Sequence, residues 1–199
     1  MIGNDIVDLA QACRESNWRR KGFLAKVFTD SEQQLIQSSS NPDVLVWLLW
    51  SMKESAYKVI VRETGQRFFA PQKLACHYAN IQTNMAEGSV FYQKTYATKS
   101  IITTHYVASV AFPENPDQVF THEIVTFDRT NYQHQHTRIR EKINQHYVTL
   151  FPNAGSNIHI RKDKTGTPTL TGSDLSGKTI HKPISLSHHG HYGAFASFY

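Results

Sequence analysis

The spacing of apolar residues predicts a strand and two long helical segments in the first third of the chain. Residues 2–8 form a short apolar run that carries two aspartates, which predicts a strand turning near the second aspartate. Residues 12–28 are basic and place their large apolar side chains roughly on one side, which predicts a helix. Residues 42–63 are apolar on most faces, which is typical of a buried helix.

A further helix start lies between these two segments, at residues 28–37. Thr29 or Ser31 can cap this helix, and Glu32 or Gln34 can close a capping box. The polar stretch SSSNPD then separates this short helix from the long one.

From residue 68 onward the pattern becomes strand-like, and a proline-rich segment divides it in two. Three strand-like stretches precede the break, at residues 73–81, 88–97 and 101–112. The break is PENPD at residues 113–117, which indicates a linker. The second half then contains a strand, a polar helix, a strand, a Gly/Thr/Ser-rich loop and a final strand pair, at residues 121–127, 136–151, 157–163, 164–178 and 183–199.

Each half contains nearly the same strand. HYVASVAF at residues 105–112 and HYGAFASF at residues 191–198 share H-Y-x-A and an aromatic residue at the eighth place. This repeat predicts an α+β fold of two similar subdomains, residues 1–112 and 113–199, related by a pseudo-twofold axis. The alternative is coincidence, because alternating alanine and aromatic residues are common in strands.

Composition and charge narrow the class of protein. The chain has 199 residues, of which 40% are hydrophobic and 12% aromatic, as in globular proteins. Its net charge of +5 favours an acidic partner or a phosphate-bearing ligand. The longest apolar run, VLVWLLW, is too short to cross a membrane, and no signal peptide is evident. Two cysteines without metal-type spacing are consistent with a reducing compartment, so we expect a cytoplasmic protein.

Three charged residues are candidates for chemistry. Glu54 and Lys58 lie on one face of the buried helix, where they form either a simple ion pair or part of a cleft. Asp5 lies in the first apolar strand, where it is either a turn or cap residue or a second carboxylate. Two carboxylates that meet in a cleft suit Mg²⁺, and Lys58 would then act on a phosphate.

The segment SLSHHGH concentrates serine and histidine before the last strand. Its hydroxyl and imidazole groups suit contacts with a phosphate. Zinc is the alternative, but a zinc site needs two further ligands and neither cysteine suggests itself. His134 and His136 are interpreted as a solvated helix start.

Three of these segments together resemble the signature motifs of the 4′-phosphopantetheinyl transferase superfamily. They are GNDIVDL, WSMKESAYK and ISLSHHGHYGAFA, and KGFLAKVFTDSE and DKTGTPTL resemble further family segments. The resemblance implies transfer of the phosphopantetheine arm of coenzyme A to a serine of a carrier protein, with Mg²⁺ required and 3′,5′-ADP released.

The same resemblance assigns roles to residues of this chain. Asp5 and Glu54 resemble the metal ligands, with Glu54, or a metal-bound hydroxide that it orients, as the base. Lys58 resembles the lysine on the coenzyme A phosphates. Ser187 and His188 match the Ser-His motif that binds the nucleotide's phosphate. Lys53 is expected near the ligand.

The sequence departs from the family pattern in two places. Val7 stands where surfactin-type members often have a third carboxylate. At this place the chain resembles the holo-acyl-carrier-protein-synthase subgroup, where water is expected to complete the metal shell. Thr167 stands where the family's Gly-Lys-Pro loop has its lysine, so Lys162, Lys164 or Lys182 is expected to replace that lysine.

The resemblance also predicts an arrangement and a partner. Short members trimerise and long members fuse two units, with the Ser-His unit first. Here the Ser-His motif comes last, so we expect a monomeric pseudodimer in permuted order with its active site between the halves. Carrier proteins are typically acidic, and Arg14, Arg19 and Arg20 would receive one, unless they form a solvated helix face.

Two other functions fit parts of the sequence. A Mg²⁺-dependent nucleotide hydrolase would use the same carboxylates and lysine, although the chain has no P-loop motif. A basic nucleic-acid-binding module would explain the charge, but the charges are scattered and no recognition motif is visible, so we expect no nucleic-acid partner.

Overall fold

The computed structural model describes residues 1–82, 84–113, 119–150, 159–163, 166–173 and 179–198. Most of the expected linker and Lys164 lie outside these residues. The helices of the described parts are α1 (Leu9–Glu15), α2 (Phe23–Val27), α3 (Asp30–Ser38), α4 (Pro42–Thr64) and α5 (Tyr132–Leu150). The strands are β1 (Gly3–Asp8), β2 (Ala75–Gln82), β3 (Met85–Tyr92), β4 (Lys94–Ile102), β5 (Tyr106–Pro113), β6 (Phe120–Thr126), β7 (His159–Lys162), β8 (Pro168–Ser173), β9 (Thr179–His189) and β10 (Tyr192–Phe198).

The strands form two five-stranded antiparallel sheets with the same order. The first is β1-β5-β4-β3-β2 and the second is β6-β10-β9-β8-β7. Each unit therefore consists of one strand, a helical segment and four further strands. The fold is α+β with two similar subdomains, and the sequence expectation is confirmed on this point. The repeated strands β5 and β10 hold the same second place in their sheets.

Equivalent residues of the two sheets contact each other. The rings of Tyr106 and Tyr192 have centroids 4.9 Å apart, and those of Phe112 and Phe198 are 6.5 Å apart. Both pairs come from matching places of the repeated strand. A residue can contact its own counterpart only near a twofold axis, so the pseudo-twofold passes between β5 and β10. The repeated aromatic positions are thus part of the contact between the units.

The long helix α4 forms as its apolar pattern predicts. Asn41 caps it by accepting a hydrogen bond from the backbone of Val44, and Gly65 ends it at a left-handed φ of 70°. The preceding helix α3 has the predicted capping box, with Thr29 and Glu32 bonded reciprocally. Twelve residues of α4 are buried, because helices α2 and α3 and the first sheet cover it.

Four expected boundaries are wrong. The stretch 101–112 is not one strand, because β4 ends at Ile102 and β5 begins at Tyr106. Residues 12–28 do not form one helix, because α1 ends at Glu15 and Gly22 takes a left-handed φ of 81° before α2. The stretch 88–97 is a hairpin rather than one strand, since Gln93 turns the chain at a φ of 61°. The predicted loop at residues 164–178 contains β8, which pairs with β7 and β9.

The side chains of β1 alternate between two neighbours. Gly3, Asp5 and Val7 face α4, whereas Ile2, Asn4 and Ile6 face the second unit. At Gly3 the helix lies directly on the strand, because a Cβ placed there would be 2.1 Å from the carbonyl oxygen of Ser55. The missing side chain at Gly3 therefore sets how closely α4 approaches Asp5.

We expect Gly3→Ala to lower the free energy of unfolding by about 1–3 kcal/mol, the usual cost of overpacking a core. Urea denaturation followed by circular dichroism measures this change. Gly22→Asn is the matched control, because a Cβ at Gly22 meets nothing within 4 Å and asparagine tolerates positive φ. An unchanged urea midpoint for Gly3→Ala would show that α4 does not rest on β1 in this way.

Candidate active site

Asp5, Glu54 and Lys58 come together where β1 meets α4. The Lys58 ammonium lies 3.3 Å from Oδ1 of Asp5 and donates to the carbonyl oxygen of Asn4 at 2.6 Å. The side chains of Lys58 and Asp5 are 27% and 16% exposed, so both are partly covered but reachable. Glu54 lies one turn earlier on the same face of α4 and is half-buried.

The electrostatics of this cluster favour a bound cation. Burial and the nearby Asp5 carboxylate together raise the pKa of Glu54 to about 7, against the opposing charge of Lys58. Burial likewise raises the pKa of Asp5, against the opposing charge of Lys58. Two covered carboxylates thus share one close ammonium, and a divalent ion would supply the missing positive charge.

The donor set fits a magnesium site better than a zinc site. Among the described residues, no three histidine, cysteine, aspartate or glutamate side chains cluster as metal ligands. Mg²⁺ is commonly held by one or two carboxylates, with water and substrate phosphates at its other positions. Asp5 and Glu54 are the residues that would hold it.

The Ser-His segment is divided between two surfaces, because it lies on strand β9. Ser187 is 7% exposed and its hydroxyl accepts a hydrogen bond from the side chain of Asn4 at 2.9 Å. The Ser185 hydroxyl accepts from the backbone N–H of Asn4, also at 2.9 Å. The two serines therefore fasten the second unit to β1. His188 points the other way, is exposed, and contacts Tyr132 of α5.

The next histidine also joins the units. Nδ1 of His189 accepts a hydrogen bond from the backbone N–H of Asp8 at 3.0 Å, and its Nε2 lies 3.2 Å from a carboxylate oxygen of Glu15. Asp8 in turn accepts from the backbone N–H of His191. A neutral imidazole with its proton on Nε2 satisfies both contacts of His189.

Two recesses flank the carboxylates. The first, of about 360 Å³, contains Glu54; its other lining residues are Lys53, Tyr57, Arg67, Phe68, Phe69, Ala70, Pro71 and Leu74. The second, of about 340 Å³, contains Asp5 and is lined mainly by apolar residues of β1, α1, α2 and α4, together with the cations Arg20 and Lys26 and the imidazole of His189. Phe69 borders both recesses and is 73% exposed. The carboxylates are therefore accessible from two sides.

Comparison with known proteins gives a family for this arrangement. The family model for the 4′-phosphopantetheinyl transferase superfamily matches residues 1–111, more than half of the chain. The chain belongs to the 4′-phosphopantetheinyl transferase superfamily. The matched region contains β1 and α4, so it includes Asp5, Glu54 and Lys58. The family predicted from the motifs is confirmed.

A solved structure is weakly similar to this chain. It is the holo-[acyl-carrier-protein] synthase of Thermotoga maritima, with 12% sequence identity and a TM-score of 0.41. The match covers 69% of this chain and 73% of that one. No curated protein matches the sequence. None of the described helices has both the length and the apolar character needed to span a membrane.

Lys53 was expected near the ligand, but its ammonium is enclosed in the protein. It lies 2.8 Å from a carboxylate oxygen of Glu32 and donates to the carbonyl oxygens of Pro71 and Leu74. Both charged side chains are only 2% exposed. Glu32 also accepts from the backbone N–H of Cys76. The pair thus fixes residues 71–74, which form one wall of the recess beside Glu54.

The three arginines expected to receive the partner differ in their surroundings. Arg19 pairs with both oxygens of Asp43, at 2.7 and 2.9 Å, so its charge is matched within the protein. Arg14 is exposed and donates to the side chain of Gln11. Arg20 borders the recess that contains Asp5 and stacks over Phe23. Arg20 is therefore the one of the three that lies at the candidate site.

Arg67, which no sequence motif marks, lies near the Gly-x-Pro loop. A Cβ placed on Gly166 would be 3.7 Å from Nη2 of Arg67. Arg67 follows α4 in a segment without a motif, so only the folded chain brings it to this loop. Of the lysines expected to replace the missing one, Lys162 lies on β7 and Lys182 on β9, whereas Lys164 lies outside the described residues.

The second unit has a counterpart of Asp5. In each unit the repeated tyrosine pairs with a residue of the first strand of its sheet. Asp5 of β1 and Glu123 of β6 each lie three residues before that partner, so Glu123 holds the place of Asp5. Glu123 faces His146 of α5, with 3.9 Å between its carboxylate and Nδ1. An acid on the first strand opposite a base on the helix therefore occurs in both units.

We expect Lys53→Met to lower the free energy of unfolding by about 3–5 kcal/mol, because it leaves the buried Glu32 carboxylate without its partner. Urea denaturation measures the loss. Adding Glu32→Gln removes the buried charge but keeps an acceptor for the backbone N–H of Cys76, so the double variant should be more stable than Lys53→Met alone. If the stability lost by the double variant equals the sum of the losses of the two single variants, Lys53 and Glu32 are not coupled.

Proposed function

We propose that this protein transfers the 4′-phosphopantetheine arm of coenzyme A to a serine of an acidic acyl or peptidyl carrier protein, with Mg²⁺. The observation that carries the proposal is the meeting of Asp5, Glu54 and Lys58 at an accessible recess, in a chain of the phosphopantetheinyl transferase superfamily. Two carboxylates and an ammonium are the groups that a pyrophosphate with a divalent ion requires.

Each residue of the cluster has a part in binding the substrate. Asp5 and Glu54 would hold Mg²⁺, which when bound would offset the phosphate charge and orient the pyrophosphate. Lys58 presents its ammonium to a phosphate oxygen as a point charge. Its position is fixed in advance, because it already bonds to Asn4 and Asp5. Such preorganised charges reduce the cost of reorganisation during the reaction.

The transfer is a displacement at the β-phosphorus of coenzyme A. The carrier's serine oxygen forms a bond to this phosphorus while the bond to the bridging oxygen breaks, and 3′,5′-ADP leaves with that oxygen. The serine proton passes to Glu54. A carboxylate beside the attacking hydroxyl is a suitable general base.

The remaining features of the proposal concern the partner and the assembly. A net charge of +5, with Arg20 and Lys26 at the recess of Asp5, would attract and orient an acidic carrier protein. Asp5, Glu54 and Lys58 belong to the proposed first unit (residues 1–112) and His188 to the second (residues 113–199). One chain would thus supply the whole cleft and act as a monomeric pseudodimer.

The proposal is tested by incubating an apo carrier protein with coenzyme A and Mg²⁺ and measuring the carrier's intact mass. We expect the mass of one phosphopantetheinyl group to be added. Asp5→Asn and Glu54→Gln should each slow transfer by about 100-fold or more, since they remove a charge that acts in the transition state. A chelator should stop the reaction and added Mg²⁺ should restore it.

Glu87→Gln is the control for these variants, because Glu87 is exposed and pairs only with Lys99 on the neighbouring strand among the described residues. It should transfer the arm at the wild-type rate. No mass gain with several apo carriers and wild-type protein would overturn the proposed reaction.

The arginines allow a second test of partner binding. Arg20→Gln should raise the KM for the carrier several-fold and leave the KM for coenzyme A unchanged, because Arg20 is assigned to the carrier whereas the coenzyme is assigned to Asp5, Glu54 and Lys58. Arg19→Gln should have a smaller effect, since Asp43 already neutralises that guanidinium. Steady-state kinetics with each substrate varied in turn measures both values. Equal effects of the two variants would contradict the assignment of Arg20.

A further inference from the structure

Four of the described strands lie at sheet edges, and two of them are protected by their own sequence. The edges are β1 and β2 in the first sheet and β6 and β7 in the second. A bulge between Tyr78 and Asn80 interrupts the pairing of β2. Strand β7 is only four residues long and includes Arg161 and Lys162. Bulges, short length and basic side chains are usual means of keeping an edge strand from pairing with another chain.

The edge of β1 is covered by the rest of the protein. Leu9 donates its backbone N–H to His105, so the odd-numbered residues of this strand bond to β5 and the even-numbered residues direct their backbone groups outward. These outward groups have partners on α4 and β9. The N–H groups of Asn4 and Asp8 donate to Ser185 and His189, and the carbonyls of Asn4 and Ile2 accept from Lys58 and Arg62.

Strand β6 holds the same place in the second unit, but its edge is open. Phe127 donates its backbone N–H to His191, so the even-numbered residues of β6 direct their backbone groups away from β10. Among the residues that the structure describes, none forms a hydrogen bond with the outward groups of His122, Ile124 or Thr126. The seven residues of β6 pair regularly with β10 and include no lysine or proline. Such an edge is a template for a further strand.

A groove of about 250 Å³ lies between this edge and α5. It is lined by residues 124–126 of β6 and by Arg138, Glu141, Lys142 and Gln145 of α5. Arg138 pairs with Glu141 at 2.7 Å, so their charges offset each other. Lys142 forms no salt bridge within the described parts of the chain. The groove beside the open edge therefore contains one unmatched positive charge.

We propose that the open edge of β6 binds an extended, acidic segment of a partner protein, which joins the second sheet as an additional strand. Side chains alternate along a strand, so every second side chain of the segment would lie on the α5 side, where a carboxylate meets Lys142. The others would lie beside Ile124, which packs among apolar residues. A second copy of this chain is disfavoured as the occupant, because it would bring two grooves of the same charge together. The inference goes beyond the proposed reaction and does not depend on it.

Fluorescence anisotropy of a labelled peptide with the sequence Thr-Glu-Val-Glu-Val-Glu-Thr, titrated with the full chain, tests the proposal. We expect saturable binding. The same peptide with proline in place of each valine keeps the charge but cannot form a regular ladder, so it should bind at least about tenfold more weakly. Equal binding of the two peptides would overturn the proposal, since charge alone would then explain the attraction.

A proline in β6 tests the strand pairing from the side of the protein. Thr126 is exposed and its N–H points outward, so Thr126→Pro blocks the edge without removing a bond to β10. This variant should bind the peptide about tenfold more weakly, whereas Thr126→Ala should bind like the wild type. Urea denaturation checks that both variants remain folded. Wild-type affinity in a folded Thr126→Pro would show that the peptide does not pair with β6.

Charge and backbone contacts are measured separately. Lys142→Gln should weaken peptide binding several-fold, and Lys99→Gln, an exposed lysine of the first sheet, should not. Peptide binding should slow hydrogen exchange of the amides of His122 and Ile124, because these groups would become bonded. Unchanged exchange at both amides would overturn the proposal. So would a dimer in analytical ultracentrifugation that Thr126→Pro abolishes, since the occupant would then be a second copy of the chain.

Discussion

The two faces of β1 contact different parts of the molecule, and the candidate site depends on this division. Because side chains alternate along a strand, Gly3 and Asp5 face α4 while Asn4 and Ile6 face the second unit. A shift of one residue would exchange these partners and separate Asp5 from Lys58. The pairing of β1 with β5 therefore fixes both the acidic cluster and the contact between units.

Buried polar contacts keep the two units in register. Asn4 bonds to two serines of β9, and Asp8 bonds to the segment around His191. Arg62 of α4 reaches the carbonyl oxygens of Ile2 and Ile184, and burial lowers its pKa to about 10. Hydrogen bonds require aligned donors and acceptors, so these contacts fix one position of the second unit relative to the first. The apolar contacts around the pseudo-twofold would tolerate a small shift between the units. The contact between the units owes its geometry to these polar groups.

Local signals in the sequence predict part of this structure well. The capping residues of α3 and the apolar surface of α4 act within one or two turns, so the sequence alone indicates them. The repeated strand predicts two units, because each copy belongs to one unit and the two copies pack on each other. The turn at Gln93 escapes prediction, since a non-glycine residue with positive φ gives no local signal. The partners of Lys53 and Ser187 also escape it, because Glu32 and Asn4 meet them only after folding.

The pair Glu123 and His146 gives the second unit a counterpart of the first unit's acid and base. Lys142, one turn before His146, introduces a positive charge on the same helix face instead of a second carboxylate. The repeat thus keeps the place of the acid on the first strand but changes the groups around it. The two units are alike in fold and unlike in the charges that they present to a ligand, so likeness of fold does not make the second unit a second copy of the site.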